Sequence, residues 1–134
     1  MISPFFLRRL LGAAAAGAVL AIVGALAHRQ EWWFTFGSSL MRIPYGLVVA
    51  VLVIALWTWR LRNMWSATHA GVFVMAWSSV SLLISASRTD VIIAGDAFGY
   101  AYLVSGVLLS VVALAWPSKE TFASLRQLRE RRND

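Results

Sequence analysis

Four stretches without a single Asp, Glu, Lys or Arg set the limits on what this chain can fold into: residues 10–27, 43–59, 63–87 and 97–118. They are 18, 17, 25 and 22 residues long. The apolar core of a bilayer is about 30 Å thick and takes roughly 20 helical residues to cross. Each gap is close to that length, the second needing flanking residues to complete it. With 134 residues, 60% of them hydrophobic and 13% charged, the chain carries more apolar surface than one small soluble core can hide. The expected fold is an all-α integral membrane protein, a four-transmembrane-helix bundle with a short cytoplasmic amphipathic C-terminal helix. Residues 1–116 are the four-span membrane domain, with spans at about 10–27, 43–59, 64–87 and 97–116, and residues 117–134 are a basic cytoplasmic tail.

Orientation follows from where the cationic residues fall, because Lys and Arg near span ends are retained on the cytoplasmic side. Arg8 and Arg9 precede the first span, Arg60 and Arg62 sit in the "RLR" link between spans two and three, and Lys119, Arg126, Arg129, Arg131 and Arg132 follow the fourth. Arg29, Arg42 and Arg88 fall on the other side, so the balance is nine against three. Both termini are expected in the cytoplasm, which demands an even number of crossings. A net charge of +6 would suggest nucleic acid for a soluble protein. Here the charge lies beside spans and no reading motif accompanies it, so an anionic inner leaflet is the expected partner and nucleic acid is not.

Aromatic residues mark the interfaces, where their amphipathic rings settle. "EWWFTF" (31–36) lies on the outer side, and Trp57, Trp59, Trp65 and Trp116 on the inner. Trp77 falls mid-span and is expected to pack against a neighbouring helix. The first apolar stretch also has a competing reading as a secretory signal, with Ala25-Leu26-Ala27 as a small-x-small cleavage site. It is longer than the usual signal core of about 7–15 residues, which favours a retained span.

Inside lipid, helices associate through close packing of small residues and through interhelical hydrogen bonds. Span one offers Ala13, Gly17, Ala21 and Ala25 at steps of four, with Gly24 beside them. Span three carries Gly71, Ser78, Ser81, Ser85 and Arg88 on one face, and span four carries Gly99, Gly106, Ser110 and Ala113. Span two shows no such stripe. Spans one, three and four are therefore expected to pack most closely, with span two turned to lipid or to another protein. The serines read either as structural, bonding a carbonyl one turn back or a neighbouring helix, or as the lining of a polar path. No embedded acid or base stands beside them, which favours structure.

"SRTDVIIAGDAFGY" (87–100) places Arg88, Asp90 and Asp96 around the apolar run 91–94. Asp96 directly precedes span four, where a carboxylate can accept hydrogen bonds from the first free amides and meet the positive helix end. Arg88 ends span three and can snorkel to the headgroups, pairing with either aspartate. That is the hardware of a turn and a cap. The competing reading is an ion or proton relay, against which all three residues fall at a predicted boundary rather than at mid-depth. In the tail, Phe122, Leu125 and Leu128 form a narrow apolar stripe while Arg126, Arg129, Arg131 and Arg132 supply charge. This reads as a helix lying on the inner leaflet with its arginines on lipid headgroups, or else as a partner-docking segment. His28 and His69 fall on opposite membrane faces and cannot share a metal.

The segment "WSSVSLLISASRTDVIIAGDAFGYAYLVSGVLLSVVALAWP", residues 77–117, resembles the second half of a family of small four-helix integral membrane proteins of actinobacteria, a family known as a domain of unknown function. The shared outline is a Ser-Arg stretch, an acidic hairpin with a glycine, and a Gly-Tyr-x-Tyr-Leu opening of the last helix. Thr89-Asp90 stands where the family has Pro and Gly. The front half is similar only in hydropathy. The resemblance implies a fold and a lineage and carries no catalytic residue with it; with the orientation above, the expected location is the bacterial cytoplasmic membrane.

With no cysteine, the chain has no thiolate nucleophile, disulfide or cysteine metal site. No glycine-rich phosphate loop, metal-ligand pair or carboxylate pair at useful depth is present, so no catalysis, cofactor or metal is expected. What is expected is a non-catalytic accessory or assembly subunit of a larger membrane complex, of respiration or of envelope biosynthesis, in contact with other membrane-protein subunits. The alternative is a small transporter or a lipid-carrier flippase.

Overall fold

The computed structural model describes residues 3–86 and 97–116, which form four long helices and one small hairpin of strands. Helix α1 (Pro4–Ala27) starts where the Ser3 hydroxyl accepts the Phe6 amide at 3.2 Å and Pro4 supplies a preset φ in the first turn. It is followed by β1 (Trp32–Phe36), β2 (Ser39–Ile43), α2 (Tyr45–Met64), α3 (Ala67–Ala86) and α4 (Ala97–Ala115). All four helices are long and apolar enough to cross a membrane.

Charge marks where an apolar run ends, not where a helix ends. Arg8 and Arg9 lie within α1, and "RLR" (60–62), expected as the link between spans two and three, lies near the C-terminal end of α2. The link itself is Trp65 and Ser66, with the Trp65 amide donating to the Leu61 carbonyl at 2.9 Å.

The all-α expectation needs one amendment. Residues 32–43, expected to hold part of an aromatic belt at 31–36 and the start of span two at 43, pair as an antiparallel hairpin with Phe36 opposite Ser39. The two-residue loop between them is Gly37-Ser38, and Gly37 takes φ +63° while Ser38 does not go positive. A positive φ at the first loop position alone is what a type II′ turn requires, and glycine is the residue that accepts it.

The helices pair by alternation. Phe6 and Gly17 of α1 meet His69 and the Phe73–Trp77 turn of α3, so these two run parallel. Gly46 of α2 meets the end of α1 while Arg62 reaches Ala113 and Trp116, so α2 runs parallel to α4. These two parallel pairs, α1 with α3 and α2 with α4, make the most extensive contacts, and they lie antiparallel to one another. Span two is therefore not the exposed one. Gly46, Ala50, Ile54, Thr58 and Leu61 are buried at steps of four and three, and each helix buries the same 28% share of its apolar window. Ile54 and Leu61 belong to this buried stripe although they are large; burial follows spacing more than size.

Candidate functional site

Polar side chains gather at two places, one toward each end of the bundle. Toward the hairpin end the centre is Tyr102, fully buried one turn into α4. Its hydroxyl accepts the indole N–H of Trp77 at 3.0 Å and donates toward the Ala21 carbonyl at 3.5 Å. One side chain of α4 thus ties α3 and α1 together, although α1 and α4 make little backbone contact. The Tyr102 ring stacks on His28 at 5.1 Å and meets Trp77 edge-on at 5.6 Å. His28, also fully buried, holds the Ala25 carbonyl at 2.7 Å from Nδ1.

Three glycines make this packing possible. A Cβ on Gly24 would overlap the Tyr102 hydroxyl, and one on Gly106 would stand inside the Trp77 ring. On Gly17 it would overlap the Phe73 carbonyl, so α1 and α3 approach backbone to backbone there. Close approach of this kind is how small residues hold helices together where burial alone gains little.

The second cluster lies at the opposite end. His69 is buried, shares a 2.7 Å hydrogen bond with the Ser66 hydroxyl, and is flanked edge-on by Phe6 and Trp65. Arg9 lies over the Phe5 ring at 4.0 Å and near Trp65 at 5.5 Å. Arg62 donates to the Ala113 carbonyl at 3.2 Å and to the Trp116 carbonyl, meeting the open acceptors and negative end of α4 with a cation.

No family model, curated protein or solved structure matches this chain. The function therefore rests on the geometry of the chain itself.

Among the residues singled out from sequence for packing, Gly17, Ala21, Ser81, Gly99 and Gly106 are buried. Ser78 and Ser85 are half-buried, and the Ser85 hydroxyl donates to the Ser81 carbonyl at 3.0 Å. The inward face of α3 is His69, Phe73, Trp77 and Ser81, so Ser78 and Ser85 sit to one side of it. Arg88, Asp90 and Asp96 lie outside the described residues, as do Arg126, Arg129, Arg131 and Arg132. The two histidines stand at opposite ends of the bundle, and among the described residues no group of three His, Asp or Glu could hold a metal.

Sequence reasoning missed Tyr102. The signal lay in Gly99 and Gly106, three residues before it and four after, which line up with it on one helix face. Arg42 was also passed over as a site residue. It pairs with Glu31 across the hairpin and lies 4.5 Å over the Phe98 ring of α4.

Proposed function

We propose that this chain is a four-span protein of the bacterial cytoplasmic membrane with both termini in the cytoplasm, and that it serves as a non-catalytic accessory or assembly subunit of a larger membrane complex. The observation that carries this reading is the filled centre of the bundle. Trp77 and Tyr102 lock into the Gly106 and Gly24 notches of neighbouring helices, Phe73 is fully buried with them, and the Tyr102 and Trp77 polar atoms are spent on each other and on backbone. The first polar cluster is itself that plug, and the His69 cluster lies at the opposite end of the bundle.

Exposed Val, Leu and Ile residues run along all four helices, as lipid contact demands. Arg8, Arg9, Arg60 and Arg62 share one end of the bundle, which the positive-inside rule assigns to the cytoplasm. The tail arginines then meet an anionic inner leaflet, and the partners within the membrane are other protein subunits. The actinobacterial resemblance of residues 77–117 belongs to the same reading.

Mild-detergent purification of a tagged chain from native membranes tests it. Recovery in fixed ratio with a larger assembly is expected. A chain that runs alone and moves a solute or lipid carrier in reconstituted vesicles is a transporter or flippase instead.

A further inference from the structure

The register of the hairpin sorts its side chains by chemistry. Trp32, Phe34 and Phe36 share one face with their cross-strand partners Ile43, Met41 and Ser39. The opposite face holds Trp33, Thr35, Leu40 and Arg42. The first face has five large apolar side chains and no charge, and all are exposed, Trp32 at 70% and Phe36 at 74%. The second carries the charge, and it is closed into a pair: Arg42 bonds Glu31 and its guanidinium lies over Phe98 at the start of α4. Arg42 thus ties the second face to α4, while Trp33 and Leu40 beside it stay exposed, at 52% and 64%.

We propose that the Trp32–Phe34–Phe36–Met41–Ile43 face is a lipid-binding surface, seated at the boundary between headgroups and acyl chains of the adjoining leaflet. The proposal rests on the membrane-spanning reading above. A two-stranded hairpin is marginal alone in water, so an uncovered apolar face needs an occupant. Position selects lipid. Only residues 28–31 and Pro44 separate the strands from α1 and α2, and the base is fixed where the Gly46 amide donates to the Gln30 carbonyl at 3.0 Å and the Tyr45 hydroxyl to Gln30 Oε1 at 3.5 Å. Exposed apolar side chains continue from Ile43 through Tyr45, Val48 and Val49 into the first turns of α2.

Dimensions fix the posture. Strands of this length reach about 17 Å, whereas each interfacial layer of a bilayer is on the order of 5–8 Å deep. Upright, the hairpin would carry Phe36 and Leu40 into water. Lying flat, it keeps all five apolar side chains in the layer that Trp and Phe prefer. With its single cation paired internally, it gains little from anionic headgroups, so zwitterionic lipid suffices.

The chain has no cysteine, so single nitroxide labels can be placed cleanly. Phe34→Cys, Phe36→Cys, Met41→Cys, Thr35→Cys and Leu40→Cys variants of the full chain are labelled one at a time in phosphatidylcholine vesicles, with Leu108→Cys on the exposed side of α4 as reference. Collision with oxygen reports lipid, and collision with a nickel chelate reports water. Oxygen should dominate at 34, 36 and 41 and nickel at 35 and 40, an alternation of period two. Equal nickel access at all five positions overturns the proposal, as does shielding of 34, 36 and 41 from both relaxants, the mark of a second copy on that face. If Leu108 reads as lipid in either case, the hairpin inference alone has failed; nickel access at Leu108 removes the membrane reading as well.

Discussion

The indole N–H of Trp77 donates to the Tyr102 hydroxyl at 3.0 Å with both side chains fully buried, joining α3 to α4 while the same hydroxyl reaches across to the Ala21 carbonyl of α1. Three helices meet in one oxygen atom. Tyr102→Phe keeps the ring stack on His28 and removes that atom, leaving the Trp77 donor buried without its partner. Loss of such a partner costs about 1–3 kcal/mol. Thermal unfolding in a mild detergent should shift down accordingly. An unchanged midpoint would mean that the hydroxyl does not organise the core.

Gly17 and Gly12 lie on the same helix and should respond oppositely to alanine. At Gly17 the added Cβ meets the Phe73 carbonyl and Ala76, so α1 and α3 must part, at about 1–3 kcal/mol. At Gly12 nothing stands within 4 Å, and alanine is the better helix former by roughly 1 kcal/mol. The two variants are compared by unfolding in one detergent. Equal effects would contradict the close α1–α3 approach.

Arg62 closes the end of α4 from the neighbouring α2. Arg62→Gln should lower stability by about 0.5–1 kcal/mol, and Arg62→Lys by less, since it keeps the charge facing the helix end but not the planar fork. Because the contact is partly exposed, the loss in the Gln variant should shrink in high salt. Unfolding midpoints at low and high ionic strength provide the check, and a loss independent of salt would argue for packing instead of charge.

Ser110 is buried one turn beyond Gly106, and its hydroxyl has no hydrogen-bond partner among the described residues. Ser110→Ala removes an unsatisfied polar group and should raise stability by about 1 kcal/mol. A drop instead would reveal a partner for the hydroxyl.

The helices were legible in the sequence because their apolar windows exclude charge, and the gaps in charge mark those windows. Their ends were less so, since arginines such as Arg9 and Arg62 sit within helices. The hairpin had a signal in the alternation of Trp32, Phe34 and Phe36 before Gly37-Ser38, but aromatic composition alone reads equally as a belt. The tie between Tyr102, Trp77 and Ala21 was out of reach, because it depends on alternate helices pairing in parallel, and no one-dimensional pattern states which helices are neighbours. The small-residue steps in α1 and α4 could be read directly; which partner each notch receives could not.

The account depends most on the chain crossing the bilayer with its hairpin on one side and its α2–α3 link on the other. Ser38→Cys at the hairpin tip and Asn63→Cys near the link, each the sole thiol of its variant, are exposed to a membrane-impermeant maleimide in intact cells. Ser38→Cys should label at once and Asn63→Cys only after the membrane is opened. Labelling of Asn63→Cys in sealed cells, or of neither variant until lysis, would contradict it.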